Sequence, residues 1–141
     1  MLPNLSEEQI QKLASIPKNT FWDYLGAEVT DISTDHVNCS LDIQAHHLNM
    51  VGILHGGVHA SLIDSAMGLL ATLQKPGKET VTIQLSINYF AAVKIGKIEV
   101  KTAVVQASRS LVTTEGTVYD EQGKMLAKGQ AVFKVIDRGG V

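Results

Sequence analysis

The sequence predicts an α+β domain in which one antiparallel sheet packs on one long helix. Three observations carry that expectation. Residues 58–73 (VHASLIDSAMGLLATL) are apolar or small on almost every side, which marks a helix enclosed by other elements and not one laid on a surface. Residues 81–89 (VTIQLSINY) alternate strictly between apolar and polar, the period of a strand. Further strand patterns then follow one another without helices between them, which disfavours a doubly wound parallel sheet.

Composition fits a single domain. A chain of 141 residues can bury roughly two-thirds of its unfolded surface in one core. With 45% hydrophobic residues and a net charge of -2, it reads as an ordinary globular protein and not a disordered one. No run of Lys and Arg offers a surface to a phosphate backbone, so nucleic acid is not expected as a partner. Residues 1–13 (MLPNLSEEQIQKL) lack the cationic and apolar regions of a secretory signal, and no apolar run reaches membrane-spanning length. The expectation is a cytoplasmic protein without a membrane partner. The single Cys39 can make neither an internal disulfide nor a thiolate cluster and is read as strand packing.

Taken in order, Ser6 and Gln9 form a capping-box pattern, with Leu5 and Ile10 at the spacing of a hydrophobic staple. Ile10, Leu13 and Ile16 continue a helical period until Pro17 stops it, giving an amphipathic N-terminal lid. Residues 1–20 are thus an N-terminal helical segment of the same domain, and residues 21–141 its main body. Two short strands flank the polar turn STDH (33–36) between Gly26 and Ile43. Residues 44–57 (QAHHLNMVGILHGG) have no clean period and read as a loop feeding the long helix. After the turn KPGK (75–78) and the alternating strand come strand patterns at Lys97 to Ala107, Leu111 to Tyr119 and Met125 to Ile136. The turn DEQGK (120–124) joins the last two.

One stripe of the long helix carries the chemistry. At about 100° per residue, Gly57, Ala60, Ser61, Asp64, Gly68 and Ala71 fall near one side, and all except Asp64 are small. A carboxylate on a buried helix needs a partner or a task, either as a general base or nucleophile or in a structural ion pair. Just ahead stands HGG (55–57), where a helix N-terminus offers unpaired N–H groups to a carbonyl becoming an oxyanion; the glycines also suit a tight turn. Together a carbonyl polariser and a water activator suggest hydrolysis of an activated acyl group.

Rival chemistries find less support. His55 and His59 have the spacing of helical metal ligands, but Gly56 replaces the glutamate of the zinc-protease motif, and Asp64 lies about 140° around the helix from His59. No metal is expected. His55 is read as orienting the loop, His59 as a core or interface residue, and His46 and His47 as loop residues. Ser61, Ser65 and Asp64 lie close in sequence, yet no G-x-S-x-G elbow occurs, and Asp64 and Ser65 point to different sides of a helix. Neither a G-x-G-x-x-G nor a P-loop pattern is present.

Asn49, VGILHGGVHASLID (51–64), INYFAAVKIGKIEV (87–100) and VYDEQGKMLAKGQAVFKV (118–135) resemble the hotdog-fold acyl-CoA thioesterases of the PaaI-like group, over roughly Phe21 to Ile136. The resemblance implies a hotdog fold, a long central helix wrapped by an antiparallel sheet, with active sites shared across a homodimer that assembles to a homotetramer. It aligns Asp64 with the catalytic carboxylate and Gly56 with the glycine whose N–H polarises the thioester. Asn49 falls on the residue positioning substrate or water, His55 on the histidine before the glycine, and Thr82, with Gln84 as fallback, on the residue assisting water. Gly57, Ser65, Gln84 and Arg109 are candidate substrate contacts, Arg109 in a Ser-Arg-Ser turn where many relatives have Gly-Arg. The implied function is hydrolysis of an acyl-CoA thioester, coenzyme A being part of the substrate and no cofactor being needed. A hotdog enoyl-CoA hydratase or dehydratase using His55 or His59, and a non-catalytic acyl-CoA-binding module, are the alternatives.

Overall fold

The computed structural model describes residues 6–137. The staple expected from Leu5 lies outside them. Helix α1, Glu7–Ala14, starts at the expected capping box: Ser6 Oγ accepts from Gln9 N at 3.1 Å, and Ser6 N donates to Gln9 Oε1 at 2.8 Å. It ends before Ile16, since Ser15 is already extended. A five-residue helix, α2 (Phe21–Leu25), was not anticipated. Thr20 caps its start, and Gly26, at φ 85°, closes it in the left-handed conformation that glycine adopts without strain.

The expected hairpin is β1 (Glu28–Ile32) and β2 (Val37–Asp42). Its turn is tied by His36, whose imidazole meets Asp31 Oδ2 at 2.8 Å and Asp35 Oδ1 at 2.7 Å. Helix α3, Gly56–Leu73, begins two residues earlier than the pattern suggested, so the glycine pair belongs to the helix and not to the loop. Strands β3 (Glu79–Tyr89), β4 (Lys97–Ala107), β5 (Leu111–Tyr119) and β6 (Met125–Ile136) complete one antiparallel sheet in the order β1-β2-β4-β5-β6-β3. β3 is therefore an edge strand, paired only with β6 among the described residues.

Helix α3 lies across this sheet and touches five of its strands. Leu62, Ile63, Ala66, Met67 and Leu70 are fully enclosed against β2, β4, β5 and β6 residues such as Leu41, Val100, Val112 and Phe133. The opposite side of the helix is not enclosed, contrary to the expectation of apolar surroundings all round: Ala60, Ser61, Asp64 and Gly68 are half-buried and Gly57 is exposed. Of the small stripe, only Ala71 is fully buried. Cys39 is a packing residue as expected, and burial pushes its thiol up to about 12.

Two glycines fix how closely α3 approaches the sheet. Gly116 and Gly129 face each other across β5 and β6. A Cβ on Gly116 would lie 3.4 Å from both Ile63 Cγ2 and Met67 Cγ, and one on Gly129 would lie 3.1 Å from Ile63 Cγ2 and from the Ser86 carbonyl. The pair forms a notch that receives the helix on either side of Asp64. Gly129→Ala therefore forces apart either α3 or the β3–β6 ladder. The expected loss of unfolding free energy is about 1–3 kcal/mol, measured as a lower urea midpoint with unchanged slope.

Candidate active site along α3

The start of α3 is built by one histidine and one tyrosine. His55 is the N-cap, and its Nδ1 accepts from Gly57 N at 2.7 Å. Tyr89, at the end of β3, donates from Oη to Gly56 O at 2.7 Å. The N–H of Gly56, first of the helix, finds no acceptor among the described residues. Both glycines are already in the first turn of α3 and neither has a positive φ, so neither serves a separate turn ahead of the helix. Space excludes larger residues instead: a Cβ on Gly57 would be 2.9 Å from His55 Nδ1, and one on Gly56 would be 3.3 Å from the Tyr89 ring.

The preceding loop holds this end in place. Asn49 Oδ1 accepts from Val51 N at 3.0 Å and Ile53 N at 3.2 Å, so its carbonyl shapes the loop and only its amide NH2 is left to meet a ligand. His47 is buried with both ring nitrogens engaged, Nδ1 by Gln44 N and Nε2 by Leu25 O, while its own carbonyl accepts from His55 N at 2.9 Å. His47 is thus structural. Beside the helix start opens a groove of about 470 Å³, with Phe21, Tyr24, Leu48, His55, Gly57 and Val58 among its walls.

Asp64 occupies the middle of the helix, two turns on. It is half-buried, not fully enclosed as the sequence suggested, and its Oδ1 accepts from Thr82 Oγ1 at 2.9 Å. That bond exists because β3 is not regular. Strict alternation would put Thr82 on the opposite face from Leu85, Ile87 and Tyr89. A bulge lies between Thr82 and Gln84: Thr82 pairs with Phe133 and Gln84 with Val132, leaving Ile83 as the extra residue. Before the bulge the even residues face α3, as the Thr80–Thr72 hydroxyl contact at 3.2 Å also shows. After it the odd ones do. Gln84 is turned to the outer face with Val132, so within the chain it does not join Asp64 and Thr82.

The other expected residues are dispersed. Ser61 Oγ donates to Gly57 O at 2.7 Å, and Ser65 lines a separate apolar cavity of about 160 Å³ under the N-terminal segment, beside Trp22 and Leu69. Among the described residues, no serine is paired with Asp64. Arg109 sits exposed in the β4–β5 turn between Ala107 and Leu111. Sequence reading missed Tyr89, and it placed His59 in the core, where the structure has it, without showing what the ring meets there. Counting Tyr89 only as an apolar member of the alternation hid its hydroxyl. His59 is buried with Nδ1 unpartnered among the described residues, its ring edge-on to Tyr89 at 5.6 Å, and burial pushes its pKa down to about 4.

Residues 51–127 match the family model described as Thioesterase superfamily. The chain belongs to the Thioesterase superfamily. Human acyl-coenzyme A thioesterase 13 is 34% identical over 98 residues, covering 67% of this chain and 69% of that protein. A solved thioesterase from Haemophilus influenzae superimposes with a TM-score of 0.87 over 100% of both chains at 20% identity. The phenylacetic acid degradation protein PaaI from Thermus thermophilus, in a mutant structure, gives 0.75 over 81% of this chain and 96% of its own, at 27% identity. The resemblance to PaaI-like hotdog thioesterases and the α+β hotdog architecture both hold. The superfamily chain also has no described helix long and apolar enough to cross a membrane.

The low basicity of His59 has a consequence for stability. Unfolded, its imidazole takes a proton below its ordinary 6.5, while the folded chain resists until about 4. Its contribution to stability is therefore greatest above pH 6.5, falls as pH drops towards 4, and levels off below. His59→Leu removes this dependence. Urea midpoints at about pH 5 and pH 8 should show the variant gaining on the wild type at the acid value.

Proposed function

We propose that the protein hydrolyses acyl-CoA thioesters in a site completed by a second copy of the chain. The observation that carries this reading is a separation. Gly56 N–H opens α3 and the Asp64 carboxylate stands eight residues later, about 12 Å along a helix axis, both of them partly exposed. No single carbonyl spans that distance. An antiparallel copy brings the start of one helix to the middle of the other, and the pieces then meet twice. The free edge of β3 supports such a pairing, since Val81 and Ile83 are 44% and 54% exposed there. Two such dimers form the tetramer implied by the resemblance.

In this site the thioester carbonyl accepts from Gly56 N–H at the positive end of the helix, which stabilises the oxyanion as it forms. Asp64 of the second copy takes a proton from water, whose oxygen bonds to the acyl carbon. The C–S bond then breaks and coenzyme A leaves as the thiol, taking up the proton. Thr82 occupies Asp64 Oδ1 and so leaves Oδ2 for the water. Asn49, through its amide NH2, and His55 orient the substrate. Direct attack by Asp64 to give an anhydride is the variant path, and a single turnover in H₂18O distinguishes it by label entering the Asp64 side chain. The acyl-CoA class is supported by the likeness to human acyl-coenzyme A thioesterase 13. A hydratase would need a histidine base; His55 commits Nδ1 to the helix cap and His59 is enclosed, which weighs against it.

The test is release of CoA thiol from aromatic and straight-chain acyl-CoAs. Asp64→Asn should lower kcat by more than about 100-fold with the fold and dimer intact, and Thr82→Val by about 10-fold. Gly56→Pro deletes the N–H at a helix position that accepts proline, and the Tyr89 ring must give by a few tenths of an ångström to admit its Cβ, which would otherwise meet the ring at 3.3 Å. Mixed with Asp64→Asn, it should regain activity as heterodimers form with one whole site. Equal turnover by wild type and Asp64→Asn, or none by either, rejects the reading.

A further inference from the structure

We infer that Tyr89 is a positioning residue that sets which nitrogen of His55 carries the proton, acting through the Gly56–Gly57 peptide. Two hydrogen bonds share that one peptide group. Tyr89 Oη donates to its carbonyl oxygen, Gly56 O, at 2.7 Å, and its N–H, that of Gly57, donates to His55 Nδ1 at 2.7 Å. A peptide is conjugated, so a donor at its oxygen draws charge from nitrogen and makes the N–H a better donor. The phenol therefore strengthens the bond that caps the helix.

The consequence falls on the histidine. With Nδ1 held as an acceptor, a neutral imidazole carries its proton on Nε2, and His55 stands at the wall of the 470 Å³ groove as a donor. Resting on the thioesterase reading, that N–H is a further polar contact for the substrate in addition to the Gly56 N–H and the Asn49 amide. The arrangement is closely fitted: any Cβ at Gly56 would press on the Tyr89 ring at 3.3 Å, and the His59 ring lies edge-on to it at 5.6 Å and 73°. Partial burial holds the Tyr89 phenol above its ordinary value of 10.0, so it remains a donor at neutral pH. Neither the alternation of β3 nor the glycine pair needs a hydroxyl here; an aromatic ring alone would satisfy the packing.

Tyr89→Phe keeps the ring and removes the donor. In the free, full-length protein, 15N and 1H NMR should show the Gly57 amide proton moving upfield and the His55 ring nitrogens shifting towards a mixture of tautomers. For whichever acyl-CoA the wild type hydrolyses, kcat should fall about fivefold to tenfold with KM changed less than about twofold. An unchanged Gly57 amide and His55 tautomer in the folded variant overturn the inference, and leave the thioesterase reading standing if hydrolysis persists. The same spectral changes in a protein that releases no CoA establish the positioning and reject the thioesterase reading instead. Where Tyr89→Phe does not fold, biosynthetic 3-fluorotyrosine in the wild-type chain makes the phenol more acidic. The Gly57 amide should then move downfield, and no movement overturns the inference.

Discussion

The close seating of α3 on the sheet is the constraint on which the rest depends. A side chain at Gly129 would push on the helix or on the β3 backbone, and one at Gly116 would use up the remaining contact distance, so both bear on the height at which Asp64 stands over β3. The hydroxyl of Thr82 reaches that carboxylate at 2.9 Å, a bond that weakens quickly with distance. Hydrophobic burial supplies most of the attraction between helix and sheet, but it is non-directional. The two missing side chains turn that general attraction into a defined depth.

Strand β3 supplies the second constraint. Its ends hold different parts of α3: Thr80 and Thr82 meet the middle and later turns, and Tyr89 meets the first. A strand of constant parity cannot do both with residues 82 and 89. The extra residue at Ile83 changes parity between them. The irregularity is thus what allows one edge strand to brace both halves of the candidate site.

Much of this was legible in the sequence, and the failures have physical causes. The helix, the strands and their order follow from hydrophobic period, and the capping box and the hairpin turns from local hydrogen-bond chemistry. Helix α2 was missed because five residues carry too little period to register, although Thr20 and Gly26 mark its ends. The helix start was placed late because Gly56 and Gly57 read as turn formers, whereas they are small to admit His55 and Tyr89. Asp64 was assigned to an enclosed environment because a run of apolar residues does not say which side is left uncovered. The Thr82 bond was reached by resemblance and not by period, since the alternation itself points Thr82 the other way. The hydroxyl of Tyr89 and its edge-on contact with His59 required three-dimensional contacts between segments thirty residues apart, which no local pattern encodes.

The distance along α3 between its free N–H and its carboxylate has one more meaning. In the proposed two-fold pair, each helix would give its first turn to one candidate site and its third to the other, so the two sites would share the same two rods. A shift of one rod disturbs both at once. Under that proposal a displacement at one site reaches the other without a jointed loop to carry it, and a lone subunit would hold two halves of a site and no whole one.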